Sequence, residues 1–171
     1  MLDQPDDVRE QIEILAARDF DDLPADANWP IAVAILIIGC AFIGDRERAG
    51  RLYDMLLPYR EHFVTTGLPA LSSGSAELNL ALAAGTTDRW DVADEHFARA
   101  VERNGRSGNH AWLVHGKYEY AALLVKRGRS DDSSRLRELL HECIAGATDM
   151  GMTRVVAKTK EIAATAGITL D

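Results

Sequence analysis

Apolar positions in this chain recur every three to four residues and do not alternate with polar ones, so the pattern predicts helices and no strand. Pro5 to Arg18 forms a short amphipathic helix with Val8, Ile12 and Leu15 on one side, and Asp6, Asp7 and Glu10 in its first turn, where the helix dipole favours negative charge. Asp19 to Asn28 is a linker broken by Pro24, with Phe20 and Leu23 tucked under the first helix pair. Trp29 to Ile43 is apolar nearly all round and is expected to be covered on both sides, with Pro30 in a first turn that loses nothing by its missing N–H. Gly44-Asp45 turns into Arg46 to Tyr59, which directs Ala49, Leu52, Tyr53, Leu56 and Leu57 inward. Arg60 to Leu68 is a connection. Pro69 opens a helix that runs to about Ala84, with Leu71, Leu78, Ala81 and Leu82 on one arc and Ser72, Ser75 and Asn79 on the next.

Trp90 to Asn104 carries the clearest stripe: Trp90, Ala93, Phe97, Ala100 and Val101. Asp88 reads as its N-cap and Gly105 as its stop. Asn109 to Arg127 sets Leu113, Val114, Tyr118, Ala121, Leu124 and Val125 on one wide side, and Gly128 ends it. Ser130 caps the next helix, Asp131 to about Thr148, which buries Leu136, Leu139, Leu140, Cys143 and Ile144. Met152 to Ala166 closes the chain with Val155, Val156, Ile162 and Ala163.

The second helices of three pairs superpose. Ala49, Tyr53 and Leu56 match Ala93, Phe97 and Ala100, then Leu136, Leu140 and Cys143, at offsets of 44 and 43 residues. Gly44, Gly85 and Gly128 keep a similar beat. Small residues let a neighbouring helix approach, and Phe97 fills the gap between helices. The expected fold is all-α: a right-handed helical-hairpin solenoid, tetratricopeptide-like, of about three helix pairs plus terminal helices. Its parts are an acidic helix and linker over 1–28, three pairs over 29–151 and a capping helix over 152–171.

Composition narrows the function. At 171 residues the chain is expected to be one domain with a real core. Of its net charge of −8, the segment up to Asp26 supplies −7, from nine acidic and two basic residues. An acidic chain without a basic stripe is a poor candidate for binding nucleic acid; the acidic end reads as a solvated face, with docking on a basic partner as the alternative. Cys40 and Cys143 lie inside apolar patterns and read as reduced, buried thiols. No signal peptide stands at the N-terminus, and Ile31 to Ile43 is too short to span a bilayer. The expectation is a cytoplasmic protein with no membrane contact.

Three stretches carry a resemblance: Trp29…Gly44-Asp45…Leu56-Leu57-Pro58-Tyr59; Arg89 to Phe97; and Trp112…Tyr118…Tyr120-Ala121…Leu124…Arg127-Gly128-Arg129. Together they resemble the C-terminal tetratricopeptide-like part of large bacterial signalling ATPases, namely LuxR-type transcriptional regulators and ATPase-linked adenylate or guanylate cyclases. The resemblance covers Trp29 to Gly151 and implies a sensor or docking platform, not a catalyst. The sequence itself holds no phosphate-binding Gly-x-x-x-x-Gly-Lys-Ser/Thr loop and no basic recognition helix. The chain is therefore expected to be either a fragment of such a protein or a small stand-alone relative.

Candidate chemistry follows from polar residues on apolar helices. His115, Glu119 and Lys126 lie on one polar stripe with Trp112 at its edge, where a concave surface would read a peptide or small ligand. Ser72, Ser75 and Asn79 make the corresponding stripe one pair earlier. His115 and Glu119, four apart, would need further ligands to hold a metal, so no metal or cofactor is expected. His96 is placed on the outer side of its helix, and Trp29, Trp90 and Trp112 in the hairpin cores. No nucleophile or acid/base pair points to an enzyme. The expected function is a non-catalytic interaction or regulatory module whose partner is a protein, a peptide or an output domain of the same longer chain. The alternative is an assembly element, a homodimer joined through Val8, Ile12 and Leu15 or through the last helix.

Overall fold

The computed structural model describes residues 5–66 and 72–170, and it is mostly helical. Eight α-helices and one two-stranded sheet occur among the described residues. The chain divides between His96 and Phe97 into two compact units. None of the described helices is long and apolar enough to cross a membrane.

The first unit contains α1 (Pro5–Ala16), α2 (Trp29–Ile43), α3 (Arg46–Leu56), β1 (Phe63–Thr65), β2 (Ser72–Ser75), α4 (Ala76–Thr86) and the start of α5 (Trp90–Arg106). Capping chemistry sets several of these limits. Gly44 adopts the left-handed conformation (φ 72°) that ends α2, and its N–H donates to the Cys40 carbonyl. Asp45 then caps α3, its carboxylate accepting from the Arg48 N–H at 3.1 Å and from the Arg48 guanidinium at 2.6 Å. Ser75 caps α4 in the same way, accepting from the Glu77 N–H at 3.3 Å. Within the unit α2 packs on α1, α3 and α4, and α3 packs on α4. Phe20 is buried, as its apolar character requires, although its backbone is left-handed (φ 64°).

The second unit contains the rest of α5, α6 (His110–Arg127), α7 (Ser133–Asp149) and α8 (Thr153–Thr165). Gly128 ends α6 as Gly44 ends α2, left-handed at φ 69°, with its N–H on the Leu124 carbonyl. Here α6 packs on α7 and α8, and α7 packs on α8. Both units thus follow one scheme: the first helix of a pair touches its partner and the helix after the pair. All nine superposed positions on α3, α5 and α7 are buried. Gly146 lets α7 approach α6, since a Cβ there would lie 2.7 Å from Val114 Cγ2.

Several expectations need correction. A strand pair replaces the first part of the helix placed at Pro69 to Ala84: β1 and β2 pair antiparallel, Phe63 opposite Ser75, and α4 begins only at Ala76. Pro69 and Leu71 fall outside the described residues. Ser72-Ser73-Gly74-Ser75 has no strand pattern of its own; pairing with Phe63-Val64-Thr65, an aromatic and two β-branched residues, supplies its hydrogen bonds. Asp88 is not a cap. It sits at φ 57° and pairs with Arg46 instead. Gly105 does not stop α5, which continues to Arg106 before Gly108 turns left-handed (φ 70°). Ser130 opens a 3-10 turn, and α7 starts at Ser133. Leu15 is exposed, and α2 is not covered on both sides, because Ile35 and Phe42 face solvent. Trp29, Trp90 and Trp112 are each only half-buried.

Candidate functional site: the cleft between α6 and α8

In the second unit a cleft of about 480 Å³ opens between α6 and α8. Helical spacing brings His115, Tyr118 and Glu119 onto one side of α6, at i, i+3 and i+4. From α8 come Arg154 and Lys158, one turn apart and flanking the buried stripe of Val155, Thr159 and Ala163. Gly151, left-handed at φ 67°, turns α7 into α8 and closes one end with Met152 and Thr153. Thr159 fixes α8 beneath the cleft: its hydroxyl donates to the Val155 carbonyl at 2.8 Å and lies 3.3 Å from Cys143 Sγ on α7.

The electrostatics are those of a half-dry polar site. Burial pushes the Glu119 carboxyl from 4.5 up to about 7, against the opposing pull of the Lys158 ammonium. Burial and then Lys158 hold the His115 imidazole below its ordinary value. Burial also raises the Tyr118 hydroxyl, with Glu119 adding to it. Near neutral pH the cleft therefore offers a neutral imidazole, a carboxyl that takes either protonation state, and a cation. Such a set can donate to, accept from and pair with the polar groups of a ligand. Among the described residues no group of three His, Cys, Asp or Glu side chains is placed to hold a metal ion.

The seven residues singled out from sequence separate. His115 and Glu119 meet in the cleft. Trp112 stands outside the lining, its ring 5.3 Å from that of His115 at 37°, and so packs against the imidazole. Lys126 is exposed in the last turn of α6, where the helix dipole favours a cation. Ser72 is exposed at the start of β2 and accepts from the Gly74 N–H at 3.1 Å. Ser75 and Asn79 are buried, so these three form no solvent-facing stripe. Ser75 is occupied as a cap, and the buried Asn79 Nδ2 makes no hydrogen bond. Lys158 and Arg154 were missed because their helix was read only as an end cap. Their one-turn spacing beside a buried stripe was the available signal.

A second polar group lies in the first unit, and it corrects the placement of His96. That side chain is 3 % exposed, not on an outer face. Its Nδ1 contacts the carboxylate of Glu77, and its Nε2 lies 2.9 Å from the Tyr53 hydroxyl. With Nδ1–H donated to Glu77, Nε2 accepts the Tyr53 proton. The Arg89 guanidinium lies 4.0 Å over the centre of the Tyr53 ring. Glu77, His96 and Tyr53 are all buried, so the chain of three acts as a polar network that fixes α3, α4 and the start of α5 in register. Nothing local in the sequence marked it, because the partners are 19 and 43 residues apart.

In comparisons with known proteins, no family model, no curated protein and no solved structure matches this chain.

Proposed function

We propose that this chain is a non-catalytic regulatory module, a right-handed stack of tetratricopeptide-like helix hairpins that binds a peptide or small effector in the α6–α8 cleft. It passes the bound state to an output domain, as the sensor or docking part of a bacterial transcriptional regulator or cyclase-type signalling protein in the cytoplasm. One observation carries the reading: His115 and Glu119 of α6 meet Lys158 across a cleft between the first helix of a pair and the helix that follows. A hairpin stack presents its ligand-reading side chains in that position.

Panning a phage-displayed random peptide library on the full chain tests it. Peptides enriched on the wild type should lose about tenfold or more in affinity for the Glu119→Lys and Lys158→Glu variants. Enrichment of the same peptides, at the same affinity, on all three proteins would sink the reading.

The second reading, an assembly element, is favoured by the exposure of Leu15 on α1, one of the positions named for that interface. Ile12, also named for that interface, is buried within the unit and is not available to it.

A further inference from the structure

Gly44 and Gly128 end α2 and α6 by the same left-handed turn, which sets the two helices in one register 84 residues apart. In that register Ile31 and Ile35 stand where α6 has His115 and Glu119, and Phe42 stands where it has Lys126. The face that is polar on α6 is apolar on α2. It is also open: Ile35 is 61 % and Phe42 44 % exposed, while Ile31 and Ile38 are half-buried. These four side chains recur at i, i+4, i+7 and i+11, which makes one straight stripe. Single exposed apolar side chains are ordinary, but a stripe of them along one helix marks a contact surface.

Charge selects the occupant. α1 packs beside the stripe, with Ile12 against Gly39, and leaves Leu15 46 % exposed in the same unit. Asp6, Asp7, Glu10 and Glu13 are on that helix, and the segment up to Asp26 nets −7. A second copy docking stripe to stripe would press this acid against its own image. An anionic membrane surface would meet the same repulsion. An amphipathic helix with large apolar residues at helical spacing and lysine or arginine on its flanks satisfies both halves of the surface. We propose that the Ile31–Ile35–Ile38–Phe42 stripe of α2 docks a basic amphipathic helix of a partner protein. The proposal stands on the first unit alone and does not depend on the ligand of the α6–α8 cleft.

The test uses the full chain and a labelled helical peptide with leucines at i, i+3 and i+7 and lysine flanks. Its twin carries glutamate flanks. Fluorescence anisotropy should show binding of the lysine peptide only, weakening with added salt. Ile35→Glu and Phe42→Glu should each cost about tenfold or more. Both positions face solvent, so the fold should survive. Circular dichroism checks this, and Ile35→Gln and Phe42→Gln serve as milder versions. The proposal is overturned if the lysine peptide fails to bind, if the twins bind alike, or if the variants bind as the wild type does. It is equally overturned by a wild-type dimer that Ile35→Glu dissolves, or by binding to phosphatidylserine vesicles that Ile35→Glu abolishes.

Discussion

Replacing Glu119 by glutamine should stabilise the chain above neutral pH and leave its stability nearly unchanged in acid. The reason is linkage. The folded Glu119 titrates near 7 and the free carboxyl near 4.5, so between those values the native state holds a proton that the unfolded state has released. Stability contributed by this group is therefore complete below about pH 4.5 and is lost as pH rises through about 7. A displacement of that size corresponds to about 2–3 kcal/mol once the solvent-open side of the cleft is allowed for. Glutamine keeps the shape and the neutral charge of the protonated acid, and so removes the penalty. Urea unfolding of wild type and Glu119→Gln at about pH 4 and about pH 8 isolates the effect, because all other carboxylates are common to both proteins. The difference in unfolding free energy should be near zero in acid and about 2–3 kcal/mol in favour of the variant in base. An equal difference at both pH values would refute the placement of Glu119 in a drying cleft.

Phe97→Ala removes a ring that is buried and stacked on Tyr120, with centroids 4.9 Å apart and planes 5° from parallel. It should cost about 3–5 kcal/mol, read as a melting point lower by roughly 6–20 °C in a chain of this size. A shift within a degree or so would remove Phe97 from the core. Gly146→Ala, which in an exposed helix would stabilise by about 1 kcal/mol, should here destabilise by about 1–3 kcal/mol, because the new Cβ meets the stiff Val114 side chain at 2.7 Å. A double-mutant cycle with Val114→Ala should show coupling between the two sites, and simple additivity would contradict the contact.

The helical part of this structure was legible because its signals are local. Apolar spacing over α2, α3, α5, α6, α7 and α8, and the stops at Gly44 and Gly128, need no knowledge of the rest of the chain. The same locality explains the errors. β2 exists only because Phe63–Thr65 pairs with it, and Asp88, which reads as a cap in the sequence, instead pairs with Arg46, the first residue of α3. His96 looked like a surface residue beside Glu95 until Glu77 and Tyr53, distant in sequence, closed over it. At the site, His115 and Glu119 were legible as polar interruptions of one apolar helix. Lys158 was not, because its meaning depends on which helix α8 packs against.

Comparing α2 with α6 carries the reasoning one step further. On α6 the open side is polar, and solvation plus the cleft account for it. On α2 the equivalent side gains little from being apolar, since a side chain left 61 % exposed, as Ile35 is, buries little area within the fold. Lysine or glutamate there would favour the helix slightly more than a β-branched isoleucine and would keep the surface soluble. Folding and solubility thus both argue against Ile35 and Phe42, yet α2 carries them in a straight line with Ile31 and Ile38. The stripe must then be accounted for by something outside the unit. The acidic helix packed beside it restricts that something to a partner bringing positive charge along with its apolar side chains.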